Sequence, residues 1–240
     1  MEIKDIYNKL NKISPFELQE RWDNSGLIIG DMNREVNQIV VSLDIDENIL
    51  KKAKEDTLFI VHHPLIFSGL KELNFSTYPS NLLEIMLQKR LSLIAMHTNF
   101  DKSHLNSFVF EKILGFKKEL EDEFICKTIG NWSKDELLSI LKSKLNLDTL
   151  RVISPKKKIK SIALTTGAGA SLIDEVNADC FLTGDIKYHD AMKAMSQNLM
   201  MVDIGHYESE KFFVDVMKEE LENLGVFAII SQSKNPFEIS

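Results

Sequence analysis

Short apolar runs alternate with segments of helical periodicity along the 240 residues, and this alternation most limits how the chain can fold. The apolar runs are rich in Val, Ile and Leu, and they predict strands at residues 38–43, 58–61, 91–96, 159–165, 180–183, 200–203 and 226–230. Helical periodicity covers residues 46–55, 80–89, 103–114, 133–145, 171–176 and 207–224. Strands separated by helices favour parallel pairing, so we expect an α/β protein with mixed, mostly parallel sheets.

One stretch interrupts this alternation and suggests a division of the chain. Residues 119–130 are first charged and then rich in turn signals, after which a new series of strands and helices begins. We therefore expect two α/β lobes. The first comprises residues 1–125 and is joined by the C-terminal segment 205–240, and the second comprises residues 126–204.

The net charge of −7 indicates that nucleic acid is not the main partner, because phosphate binding requires an excess of Lys and Arg. A local basic groove remains compatible with the sequence. The N-terminus lacks the apolar core of a signal peptide, and no apolar run reaches the roughly 20 residues of a membrane span. We expect a cytoplasmic protein in which Cys126 and Cys180 are reduced, partly buried thiols.

Histidines are concentrated where predicted strands end. In open α/β sheets, ligands bind at the carboxyl ends of the strands, so side chains that follow different strands can meet there. Of the six histidines, five follow a predicted strand and one lies in a helical pattern. The five are His62, His63, His97, His189 and His206, and the sixth is His104.

Two of these histidines are adjacent, which restricts how they can bind a metal. Successive side chains of an extended chain point to opposite faces, so His62 and His63 cannot easily chelate one ion but can serve two neighbouring ions. Pro64 supports this arrangement because it keeps His63 out of helical conformation. The alternative is one hydrogen-bonded core histidine beside one exposed histidine.

Two carboxylates accompany the histidines at short spacings. Glu210 lies four residues after His206, on the same face of a predicted helix, and Asp101 lies four residues after His97. Each also has a simpler interpretation, as a surface His/Glu pair or as a helix N-cap. Together with the histidines they form a nitrogen and oxygen donor set typical of Zn, Mn, Fe or similar divalent ions, with positions left for water.

Several ordered motifs connect these residues to a known family. The motifs are WDNSGL at residues 22–27, HHPLIF at 62–67, HTNFD at 97–101, LTGDIKYHDA at 182–191, GHYESE at 205–210 and NPF at 235–237. In this order they resemble the GTP cyclohydrolase I type 2 homologues, the YbgI-like dinuclear metal proteins. The resemblance covers nearly the whole chain.

The resemblance implies a ligand set for two divalent ions, which can be Zn, Mn, Fe, Ni or Co. His63 and Asp101 would bind one ion, and His62 and His206 would bind the other. Glu210 would bridge both ions. His97 and His189 match positions near the site, where each would transfer protons or orient a ligand.

The resemblance further implies a metal site in a cleft between two α/β lobes and a homohexameric ring. The implied activity is that of a dinuclear metal-dependent hydrolase acting on GTP, opening the guanine ring and releasing formate. Two alternatives remain at this point. One is a ring-forming metal-binding adaptor without turnover, and the other is a metal-dependent hydrolase of a different phosphoester or amide.

Overall fold

The computed structural model describes residues 1–121 and 124–238, which form two compact units. The first unit contains Met1–Phe100 and the C-terminal segment from Phe213 onward, and the second contains Asp101–Phe212. Residues 101–121, 124–125 and 205–212 therefore lie in the second unit, whereas the sequence analysis expects them with the first lobe. Asn106 illustrates why, because its side chain donates to the carbonyl of Phe124 and accepts from the amide of Thr166, 2.8 Å away.

Helices and strands alternate through both units, which confirms the predicted α/β class. The helices are α1 (Ile3–Ile13), α2 (Glu47–Lys52), α3 (Ser80–Gln88), α4 (Thr98–Phe100), α5 (Lys134–Leu145), α6 (Tyr188–Ser196), α7 (His206–Glu210) and α8 (Phe213–Asn223). The strands are β1 (Gly26–Ile29), β2 (Gln38–Ser42), β3 (Thr57–Val61), β4 (Ser92–Ala95), β5 (Leu120–Glu121), β6 (Cys126–Ser133), β7 (Arg151–Ile153), β8 (Lys158–Leu164), β9 (Cys180–Thr183), β10 (Met200–Asp203) and β11 (Ile229–Ile230).

The first unit is built on a five-stranded sheet in the order β1-β4-β3-β2-β11. All neighbouring strands are parallel except β1, which is antiparallel to β4. The central strand β3 is buried along its whole length, as a strand covered on both faces should be. Its side chains pack in a core with Leu50, Met86 and Leu93. The carboxyl ends of β2, β3 and β4 therefore meet at one rigid edge.

The second unit is built on a six-stranded sheet in the order β5-β6-β8-β9-β10-β7. Strands β8, β9 and β10 are parallel in its centre, and the flanking strands are antiparallel. Phe181, Met201 and Ala163 belong to the buried core around these strands. The loops after β8, β9 and β10 leave the same edge of the sheet, which brings distant segments of the sequence together.

The structure differs from the sequence-based elements in several places. The pattern at residues 103–114 forms π-helical turns at Asp101–Leu105 and Phe108–Ile113, and that at 171–176 forms a 3-10 helix at Gly169–Asp174. The single helix expected at 207–224 is two helices, α7 and α8. The apolar periodicity continues across this break, so periodicity alone does not locate it.

Two further properties concern the cysteines and the character of the helices. Cys126 and Cys180 are both buried, and the two are not joined in a disulfide. Burial raises the pKa of the Cys180 thiol well above its ordinary value, and the charge of Asp179 adds to the effect. In the described part of the chain, no helix has the length and apolar character that crossing a membrane requires.

Candidate metal centre

Three histidines of the first unit lie together at the carboxyl ends of two adjacent strands. His62 and His63 follow β3 directly, and His97 follows β4. One ring nitrogen from each histidine lies within 4.8 Å of those of the other two. We call this group the histidine trio. His62 is fully buried, whereas His63 and His97 keep 24% and 14% of their side-chain surface exposed, so the trio is partly accessible to solvent.

Every ring of the trio is held through Nδ1 by an oxygen atom. An imidazole that donates a hydrogen bond from Nδ1 carries its lone pair on Nε2, which is the form that binds a metal. Backbone contacts fix the loop as well, because the amides of His62 and His63 both donate to the carbonyl of Leu43. The Nδ1 contacts are His62 to the carbonyl of Met96 at 2.9 Å, His63 to Asp44 Oδ1 at 2.8 Å and His97 to Asp23 Oδ1 at 2.7 Å.

The carboxylate of Asp23 is the centre of a hydrogen-bond network around His97. Its side chain is fully buried. Besides the His97 contact, it accepts from the amide of Asn24, the hydroxyl of Ser25, and both the amide and hydroxyl of Thr98. Burial would raise the pKa of Asp23, but the hydrogen bond and charge of His97, with the other donors, hold this pKa well below its usual range. Asp23 therefore stays ionised and fixes the orientation of His97.

Replacing Asp23 with asparagine should destabilise the first unit. The amide has only one acceptor oxygen for these donors and places an NH₂ group among them, so buried donors lose their partner. We expect the free energy of unfolding, measured by urea titration, to fall by about 2–3 kcal/mol. The matched control is Asp174→Asn, which changes an exposed aspartate whose surface contact with Lys193 contributes little, so the unfolding curve should stay close to wild type. Equal curves for Asp23→Asn and wild type would contradict this role.

The second unit contributes a separate group at the start of α7. His206 and Glu210 are four residues apart on this helix, and His206 Nε2 lies 2.9 Å from Glu210 Oε2. The other ring nitrogen, Nδ1, lies 2.7 Å from Asp185 Oδ2 in the loop after β9. One imidazole thus lies between two carboxylates. A cation next to Nε2, or a proton shared between Nε2 and Glu210, makes this contact favourable.

Asp101 completes this group, which we call the acid–imidazole group (Asp101, His206 and Glu210). A carboxylate oxygen of Asp101 lies within 4.8 Å of one of Glu210. Both acids are buried, with 5% and 3% of their surface exposed, and the hydroxyl of Thr166 donates to Asp101 at 3.4 Å. Two buried carboxylates this close repel each other unless a cation or proton lies between them.

The loop after β8 leaves room for the side chain of Glu210, because a glycine lies next to it. Gly167 has a φ of +61°, and a Cβ atom at this position would lie only 2.0 Å from Glu210 Oε1. The amide of Gly167 donates to the hydroxyl of Ser209, which holds the loop against α7. The Gly-rich turn at 166–171 thus serves as a tight connection between β8 and the 3-10 helix at Gly169–Asp174.

The remaining histidines lie apart from these groups. His189 is exposed in the first turn of α6, where its ring contacts that of Tyr188, and His104 lies in a π-helical turn beside Ser103. Neither His189 nor His104 belongs to a group of described residues that could hold a metal ion. The structure therefore places His97 with His62 and His63 and leaves His189 outside both groups.

Three carboxylates that orient histidines were not singled out by sequence reasoning, namely Asp23, Asp44 and Asp185. Asp44 and Asp185 each lie two residues beyond a strand, β2 or β9, at the same sheet edges as the histidines. Their position after a strand is the sequence feature that could have identified them, since acids at the carboxyl ends of strands face the same site as the ligands.

The chain matches a defined protein family along almost its whole length. Residues 1–236 match Duf34/NIF3 (NGG1p interacting factor 3). The chain is 49% identical to a GTP cyclohydrolase 1 type 2 homolog of Campylobacter jejuni over 239 residues, which cover 99% of each protein. It is 42% identical to GTP cyclohydrolase 1 type 2 of Helicobacter pylori, with 99% of this chain and 98% of the relative covered. The protein therefore belongs to the Duf34/NIF3 family.

Solved structures agree with this assignment. Reduced HcgD from Methanocaldococcus jannaschii has a TM-score of 0.82 at 27% identity, with 96% of this chain and 97% of that chain covered. The protein ybgI, whose function is described as unknown, has a TM-score of 0.83 at 20% identity, with 99% and 100% covered. At that identity the second comparison supports the fold alone.

Proposed function

We propose that the protein is a hydrolase that depends on two divalent metal ions. In this proposal His63 and Asp101 bind one ion, His62 and His206 bind the other, and Glu210 bridges them. The observation that carries this proposal is that the donor side chains are already oriented and placed for metal binding. The imidazoles are fixed through Nδ1 by oxygen acceptors, and the two carboxylates are buried close together, where they need a compensating positive charge.

The donor types fit this kind of metal. Imidazole nitrogen and carboxylate oxygen suit Zn, Mn, Fe, Ni and Co, and the described ligands include no thiolate that would favour a soft ion. Asp44 and Asp185 accept from the outer nitrogens of His63 and His206, which raises the basicity of these ligands. These two histidines are therefore held in the orientation that metal binding needs.

Hydrolysis follows from this ligand set. When bound, a pair of ions that share a carboxylate lowers the pKa of a coordinated water and stabilises negative charge on the substrate. The protein supplies the proton transfers. Asp23 holds the Nδ1–H of His97, so Nε2 of the same ring is able to accept a proton and to deliver it to a leaving nitrogen. His189 is exposed, and its proposed part is limited to proton exchange with solvent.

The names of the relatives suggest the substrate, and we propose GTP. The reaction would be the hydrolytic opening of the five-membered ring of guanine. One water cleaves one bond between C8 and nitrogen to give a formamide, and a second water releases C8 as formate and leaves an amine. A metal centre with a nearby imidazole suits both steps, because each needs an activated water and a protonated leaving nitrogen.

The first test measures metal content and turnover in the same preparation. Protein freed of metal by chelation is reloaded with Zn, Mn, Fe, Ni or Co in separate samples. Bound metal is determined by atomic absorption, and formate and inorganic phosphate released from GTP are measured in parallel. We expect formate only from samples with bound metal, with the activity rising with metal occupancy.

Other results would redirect the assignment. Phosphate without formate would retain the hydrolase and replace the ring-opening reaction by phosphoester hydrolysis. Two bound ions per chain with neither product from GTP would contradict the proposed substrate, and inactivity toward other phosphoesters and amides would favour the adaptor without turnover.

A further inference from the structure

Two exposed aromatic side chains lie beside His97. Trp22 and Phe67 are 58% and 48% exposed, and their ring centroids are 5.9 Å apart with the planes at 52°. Both rings meet the imidazole of His97 edge to face, at 6.4 Å for Trp22 and 6.0 Å for Phe67. Single exposed aromatics are common on protein surfaces, but an adjacent pair that borders a candidate catalytic imidazole indicates a binding surface.

The loops that carry these rings are fixed to each other and to His97. The side chain of Asn24 donates to the carbonyl of Ile66 at 2.6 Å, which ties the segment of Trp22 to that of Phe67. The residue after Trp22 is Asp23, whose buried carboxylate holds His97. Because these contacts fix both segments, the two rings are presented to solvent at little entropic cost on binding.

We propose that Trp22 and Phe67 form a subsite that binds the planar nitrogen heterocycle of the substrate by stacking. An exposed indole and phenyl ring offer apolar faces to a planar ring of any base, and the neighbouring imidazole offers a polar edge. An acyclic amide or a simple phosphoester has no ring to place there. The proposal rests on the hydrolase function above, and it selects a purine-like substrate from the alternatives that the metal centre leaves open.

The test uses Trp22 as its own reporter. The sequence contains two tryptophans, so Trp132→Phe leaves Trp22 as the only indole. Zinc-loaded Trp132→Phe protein is titrated with guanosine and, separately, with ribose 5-phosphate, with free N-acetyltryptophanamide correcting for absorption by the ligand. We expect saturable quenching by guanosine and none by ribose 5-phosphate. Phe67→Leu in this background should weaken guanosine binding at least about 5-fold, by loss of one stacking face.

A matched control separates stacking from a general loss of surface apolar area. Phe227 is 77% exposed and belongs to the same unit, so Phe227→Leu should leave guanosine binding unchanged. If Trp132→Phe fails to fold, guanosine binding is measured by calorimetry on wild type and Trp22→Leu, where binding should be lost. Unchanged guanosine affinity in Phe67→Leu or in Trp22→Leu would overturn the subsite.

The outcomes distinguish this proposal from the function on which it rests. Saturable guanosine binding without formate release would support the subsite and count against the cyclohydrolase. Formate release from GTP with an unchanged KM in Trp22→Leu would overturn the subsite and retain the hydrolase. Loss of acrylamide quenching of Trp22 as the protein self-associates, without guanosine binding, would assign the surface to a second copy of the chain and overturn the proposal.

Discussion

Glu210→Gln is expected to abolish metal-dependent turnover while preserving the fold. Glutamine has nearly the same shape, but it is neutral and cannot bridge two cations through both oxygens. The carboxylate is buried beside His206 and Asp101, so a side chain on the surface cannot take over its role as a ligand. We expect formate release to fall by at least roughly 100-fold and bound metal to drop below wild-type stoichiometry, since even residues that only orient ligands contribute about 10- to 100-fold.

The control for Glu210→Gln is Glu136→Gln, which makes the same chemical change at an exposed helical position of the same unit. This variant should retain wild-type metal content and turnover. Full activity of Glu210→Gln with both ions bound would contradict the proposed bridging role. Loss of activity in both variants would point to a general effect on the second unit.

Glu210→Gln, which should lower turnover, should not lower the stability of the metal-free protein. Without metal, Asp101 and Glu210 place two buried carboxylates within 4.8 Å of each other, which is unfavourable. Removing one charge relieves this repulsion, so metal-free Glu210→Gln should unfold at a temperature equal to or above that of metal-free wild type. Added metal should then stabilise wild type far more than the variant. Stability given up for function in this way is typical of binding sites.

The sequence predicted the framework because hydrophobic periodicity records burial. The fully buried strand β3 and the short strands β9 and β10 are nearly continuous apolar runs, and β8 ends in one, so each was found from that pattern. Short or exposed elements leave a weaker record. Strands β1 and β7 are only four and three residues long, and β6 contains few apolar residues, so the pattern missed them. Unit boundaries depend on contacts distant in sequence, such as that of Asn106 with Thr166.

The candidate ligands were predictable because their chemistry and position coincide. Histidines are rare, and five of the six follow predicted strands, so His62, His63, His97, His189 and His206 could be singled out before any coordinates. The structure leaves His189 outside the two groups. Asp44 and Asp185 were not singled out, because aspartate after a strand is also an ordinary turn residue. The pairing of ligands with particular ions and the homohexameric ring remain predictions, and the ring is checked by light scattering of the purified protein.

Gly167→Ala should remove function with little loss of stability. A methyl group at this position would meet Glu210 Oε1 at 2.0 Å and His206 Nε2 at 3.5 Å. The end of a glutamate side chain can rotate away, so the fold should tolerate the change, but the carboxylate would then leave its position in the acid–imidazole group. We expect metal content and formate release to fall nearly as far as in Glu210→Gln, measured on the same preparations.

Gly115→Ala is the matched control because it reproduces the backbone strain without the collision. Gly115 has a φ of +78°, also in the left-handed region, and a Cβ atom there would meet nothing within 4 Å. Both variants should lose about 1 kcal/mol of unfolding free energy from placing alanine in this conformation. Only Gly167→Ala should lose metal, because only that methyl group displaces a ligand. Wild-type metal binding by Gly167→Ala, or an equal loss in both variants, would show that Glu210 does not need the space that Gly167 leaves.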